Sequence, residues 1–151
     1  MNLFTHTDEA ESLQPPQHSV IDLVTFTDDR GCLVSVESMN QVPFEIKRLF
    51  YIFNTNTDQN RGFHAHRNDK MFLICLVGKL RVRLNDGQKI TDNWLDSPSK
   101  GLLVNDMVWV EMHDFSKDCA LVVLSSQKYD KSDYIHDYDL FIEEAKAKYA
   151  E

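Results

Sequence analysis

The chain has 151 residues, 42% hydrophobic and 26% charged, with a net charge of −8, enough for one domain that buries roughly 70% of its unfolded surface. The acidic excess excludes general binding to nucleic-acid phosphates, although a local Arg and Lys cluster can still meet an anionic ligand. No apolar stretch approaches the ~20 residues of a membrane span and no charged-then-apolar leader opens the chain, so a soluble cytoplasmic protein is expected.

Residues 1–19 (MNLFTHTDEAESLQPPQHS) are polar and acidic, contain Pro15-Pro16 and show no sustained period. They predict a flexible N-terminal tail in which His6 and His18 are incidental. A single domain over 20–151 follows. VIDLVTF is a strand, Asp28-Asp29-Arg30-Gly31 a turn, and CLVSVES a second strand. Pro43 breaks the pattern before IKRLFYIF, a long β-branched and aromatic run. The loop NTNTDQN leads to RGFHAHR; MFLICLV and KLRVRL are joined around Gly78, and Asn85-Asp86-Gly87 is a hairpin signal. LLVNDMVWVEM and CALVVLSS complete the series. Short strands joined by turns, without intervening helices, predict an all-β sandwich or barrel. Only the end differs: Tyr138–Tyr149 has helical spacing at Leu140, Ile142, Ala145 and Tyr149, with Asp139 as the expected N-cap. Cys32, Cys75 and Cys119 form no CxxC and read as reduced thiols, two of them inside apolar runs.

His64 and His66 carry the chemistry. Residues i and i+2 of a strand share a face, so both imidazoles project side by side. Two half-exposed histidines on an edge strand would look the same; the sharper readings are metal ligands or a general acid/base pair. A metal site on a His-x-His strand wants a Glu four or five residues on, a Gly after six more, and a further His from a later strand. Gly78 fits, but Met71 stands at the Glu position and Trp109 where the later His belongs. Two histidines are too few for a tight catalytic site, which normally has three protein ligands, so no metal is expected. Proton transfer remains, and a side chain with a reference pKa near 6.5 can take and return a proton at neutral pH. Lys47, Arg48, Arg61, Arg67 and Lys70 reverse the global charge around the pair, a setting for an anionic ligand that Arg would grip bidentately. Phe50, Tyr51, Phe53 and Trp109 could stack a base or sugar, or simply fill the core. Arg81 and Arg83 alternate with Val82 and Leu84 as a polar sheet face.

With these residues in place, the sequence resembles the dTDP-4-keto-6-deoxyglucose 3,4-ketoisomerases, a cupin family of deoxysugar biosynthesis. The resemblance runs from about Val20 to Phe141 and rests on FTDDRGCLVSVES, FEIKRLFYIF, RGFHAHR, WVEMHDFS and YDKSDYIHDYD in order. It implies a cupin-type antiparallel jelly-roll barrel with a short C-terminal helix, a homodimer, no metal or other cofactor, and a dTDP-linked 4-keto-6-deoxysugar as substrate. By motif, His66 would remove the C3 proton and His64 would help return one at C4. Arg48, Tyr51 and Arg61 lie in matching motifs as contacts to substrate or pyrophosphate, and Trp109 joins them as a candidate stacking residue. Met71 departs from the polar residue, often Gln, of many relatives. The dTDP-sugar 3,5-epimerases share a DxRG-like entry and an RG-x-H segment, but that family resembles RGLH with one His, whereas here a second follows two residues on. A noncatalytic nucleotide-sugar-binding cupin would not need both.

Overall fold

The computed structural model describes residues 18–150. Most of the expected tail lies outside the described residues, but its last two positions, His18 and Ser19, already pair with Val104 and Leu103 in a strand. The elements in order are β1 (His18–Asp22), β2 (Thr25–Asp28), β3 (Gly31–Val34), β4 (Arg48–Ile52), β5 (Arg61–His66), β6 (Met71–Val77) and β7 (Leu80–Asn85). Then come β8 (Ile90–Leu95), β9 (Lys100–Val104), β10 (Trp109–His113), β11 (Ala120–Ser125), a 3-10 turn (Lys131–Asp133), β12 (Tyr134–Ile135) and α1 (Tyr138–Tyr149).

Two five-stranded antiparallel sheets, β1-β9-β6-β11-β4 and β12-β5-β10-β7-β8, face one another. This is the all-β architecture the spacing predicted, in the jelly-roll form the resemblance implies, with β2–β3 standing apart as a hairpin. Strand alternation fills the space between the sheets. Leu80, Val82 and Leu84 of β7 are fully buried there with Leu73 and Cys75 of β6, Val110 of β10 and Val123 of β11. Each such Leu or Val contributes on the order of 1.5–3 kcal/mol relative to exposure. The intervening Arg81 and Arg83 turn outward and pair with Asp92, Arg81 also with Asp114. A second cluster lies behind the first sheet, where Leu23, Val42 and Phe44 cover Phe72, Ile74, Leu103 and Leu124.

Two long apolar runs break where one strand was expected. VIDLVTF divides at Leu23, whose side chain is buried in the second cluster and whose N–H donates to the Ser99 carbonyl at 2.8 Å. LLVNDMVWVEM divides between β9 and β10, which belong to different sheets, with Met107 in the left-handed region (φ 56°). ITDNWL, unremarked in the sequence, is β8, paired to β7 across the Asn85-Asp86-Gly87 turn. The helix has its expected bounds, but Asp137 caps it: its Oδ1 accepts from the Leu140 N–H at 3.1 Å. Asp139 lies one residue inside, where a negative charge favours the helix N-terminus without capping it. Phe141 and Ala145 seat α1 on the outer face of the second sheet against Ala65, Trp109 and Ile135. Ala145 comes so close to the hairpin that a Cβ on Gly87 (φ 92°) would lie 2.8 Å from its methyl group.

Candidate active site

Simple alternation along β5 would put Arg61 on the opposite face from His64 and His66. The register shows otherwise. Val110 pairs with His64, Glu111 with Gly62 and Met112 with Arg61, with a bulge in between. Directly opposed residues share a face, so His64 and Arg61 both project to the side of the buried Val110 and Met112. Phe63 (φ 60°) is the extra residue, and Gly62 (φ 90°) makes room for it; a Cβ there would lie 2.7 Å from the Val110 carbonyl oxygen. The bulge therefore re-aims Arg61 onto the histidine face, at the rim of a depression of about 140 Å³ shared with Ile52, Asn54, Thr55, Gln59 and Phe115.

His64 and His66 stand edge to face with ring centroids 5.0 Å apart. β12 supplies a third wall: Tyr134 pairs with His66, its ring 4.3 Å from that imidazole and 5.1 Å from His64. His136, stacked on Tyr134, lies 5.9 Å from the His64 ring. Burial, helped by repulsion from His66 and His136, pushes the His64 pKa down to about 4. Burial also lowers that of His66, against the opposing pull of Asp69 and Asp133.

Beneath the pair lies a buried polar network. Asp69 accepts from the Ser125 hydroxyl at 2.6 Å and the Ser126 N–H at 3.0 Å, and Arg48 Nη2 donates to its Oδ2 at 3.0 Å. Asp133 accepts from the Asn68 N–H, the Asn68 amide and the Asp69 N–H. Among the described residues, no three His, Cys, Asp or Glu side chains form a metal-binding set.

The structure thus brings together His64, His66 and, through its network with Asp69, Arg48, with Arg61 at the rim on the same face. It does not bring Tyr51 or Trp109 there. Arg48, Phe50 and Ile52 occupy the inner side of β4, so alternation sends Tyr51 out, where it is 64% exposed. Trp109 alternates with the inward Val110 and is buried under α1, its ring 5.7 Å from Phe141 and its Nε1–H bonded to Glu111. Asp69, Ser125, Asp133, Tyr134 and His136 were not singled out. The i, i+2 spacing of Tyr134 and His136 was a usable signal, but the carboxylates join only through tertiary pairing.

The family model described as "FdtA: WxcM-like, C-terminal" matches residues 16–146. The chain is 49% identical over 125 residues, 83% of its length and 90% of the relative's, to a TDP-4-oxo-6-deoxy-α-D-glucose-3,4-oxoisomerase of Aneurinibacillus thermoaerophilus. It is similar to a variant of the 3,4-ketoisomerase QdtA from Thermoanaerobacterium thermosaccharolyticum, solved in complex with TDP-4-keto-6-deoxyglucose. The TM-score there is 0.85, with 38% identity, covering 89% of this chain and 98% of that one. The rmlC epimerase of Mycobacterium tuberculosis shares the fold alone, at 13% identity and TM-score 0.69 over 81% of this chain and 69% of that one. Sequence match and shared jelly roll agree: the chain belongs to the FdtA family of WxcM-like sugar isomerases.

Proposed function

We propose that the chain is a 3,4-ketoisomerase that moves the ketone of a dTDP-linked 4-keto-6-deoxyhexose from C4 to C3. His66 takes the C3 proton; the freed electron pair forms the C3=C4 bond as the C4 carbonyl oxygen gains a proton, giving an enediol. C4 then receives a proton, for which His64 is placed, while O3 loses its own and becomes the new ketone. The observation that carries this reading is the pair itself: two imidazoles 5.0 Å apart on one inner face. A charge on His66 lowers the proton affinity of His64, which favours one proton on the pair over two, as a shuttle requires. The scheme needs no metal, and the residue directly across the sheet from His64 is the buried Val110.

Arg61 is our candidate for the pyrophosphate, since it reaches the rim with few internal obligations. Arg48 instead supports the floor through Asp69. Tyr51 belongs to a different surface: with Leu49 and Leu76 it forms an exposed apolar stretch on the outer side of the first sheet. That stretch, and the outer edge of β4, which no described strand pairs, support a homodimer. A cytoplasmic setting fits the three free thiols. Incubation with dTDP-4-keto-6-deoxyglucose and proton NMR of the products tests the assignment. The 3-keto sugar nucleotide is expected; inversion at C3 and C5 with the ketone retained at C4, or no conversion, would overturn it.

A further inference from the structure

The His66 ring is 3% exposed, and its Nδ1 is buried without a hydrogen bond. Two carboxylates face that nitrogen, Asp133 Oδ2 at 3.5 Å and Asp69 Oδ2 at 3.9 Å. A buried polar atom left unpaired is destabilising, so this nitrogen calls for a partner. The two carboxylates are not equivalent. Asp69 Oδ2 already accepts from Arg48 Nη2 and the Ser125 hydroxyl. Asp133 Oδ2 accepts from the Asp69 N–H alone, at 3.1 Å, and keeps acceptor capacity. Its other oxygen is fixed by both Asn68 donors, so the carboxylate is aimed rather than loose.

We infer that Asp133 is a positioning residue for the reaction: it accepts the Nδ1 proton of His66, fixes the ring in one tautomer and presents Nε2 to the substrate. Closing 3.5 Å to a hydrogen bond takes a small ring rotation, and such bonds tighten when substrate is bound. The surroundings agree. The charged and titratable groups facing the ring are Asp69 from the β5–β6 turn, Asp133 from the 3-10 turn, Arg48 from β4, Tyr134 from β12 and the neighbouring His64. Two carboxylates and one guanidinium leave one negative charge beside a neutral ring. An imidazolium formed by abstracting the C3 proton balances it where it arises. Burial alone would penalise that cation, so the carboxylates offset the cost of placing the base in a dry floor.

This inference rests on His66 as the C3 base, and a tautomer measurement separates the two. Nitrogen-15 NMR of the His66 ring at neutral pH should show Nδ1–H in the wild type. Asp133→Asn should shift the population toward Nε2–H. Asn68→Ala removes one donor, the side-chain amide, from the same carboxylate but leaves the carboxylate in place, and should keep Nδ1–H. In Asp133→Asn, kcat for C3–H exchange should fall roughly 10–100-fold with KM little changed, and the acid limb of its pH profile should move down. A wild-type ring protonated at Nε2, an unchanged tautomer in Asp133→Asn, or identical behaviour of the two variants would overturn the proposal. Wild-type C3 exchange in His66→Asn would instead remove the base assignment and leave the tautomer result standing.

Discussion

At the scale of single residues, the site works by setting charge against burial. His64, with its pKa down at about 4, is neutral where an exposed imidazole would be half charged. The sign of the linkage follows from a folded value below the unfolded one. Stability is full above about pH 6.5 and is lost as the pH falls toward 4, because only the unfolded chain takes up the proton in that interval. The loss is on the order of a few kcal/mol. Chemical denaturation from pH 7 to 4.5 should show that decline, and His64→Asn should flatten it; an equal slope in both proteins would place the titrating group elsewhere. Arg61 makes the opposite kind of contribution, a cation held in reserve at the rim. Arg61→Ala should weaken dTDP binding by roughly 1.5–3 kcal/mol if it donates a charge-assisted hydrogen bond. Unchanged affinity in calorimetry would make it a residue of the β5 bulge only.

At the scale of elements, β5 shows both the reach and the limit of sequence reading. His64 and His66 share a face by period alone, so that feature was legible. Arg61 reached the same face for a reason the period contradicts: the bulge at Gly62 and Phe63 inserts one residue and restores the phase. Trp109 failed for a related reason. Its run looked continuous, but the chain changes sheets before it, and its place in β10 turns it under the helix. Asp69 and Asp133 are separated by 64 residues and meet only because β12 returns along β5. Gly62→Ala tests the bulge directly. With φ at 90° and a carbonyl 2.7 Å from the new methyl group, it should cost about 1–3 kcal/mol of stability. It should also weaken dTDP binding along with Arg61→Ala. A stable variant with full dTDP affinity would show that the bulge does not aim Arg61.

At the scale of the whole molecule, the jelly roll keeps the histidines dry on an inner face while leaving apolar surface outside. Fold class, the C-terminal helix and the histidine pair were all legible, because periodicity and ordered motifs encode them locally. The outer surface was less so: Leu49, Tyr51 and Leu76 read as strand residues in sequence, and their exposure emerges only because the described residues leave them uncovered. Leu76→Lys should shift sedimentation toward a monomer while the fold persists; a monomeric wild type would remove the dimer from the account. The central claim is that the histidine pair itself carries the proton between C3 and C4. The most direct test follows deuterium incorporation at C3 of the 4-keto substrate in heavy water. The account predicts that His66→Asn slows this exchange by about 10²–10⁴-fold, with dTDP binding intact, while His64→Asn retains exchange but forms product slowly. Exchange at the wild-type rate in His66→Asn would contradict it.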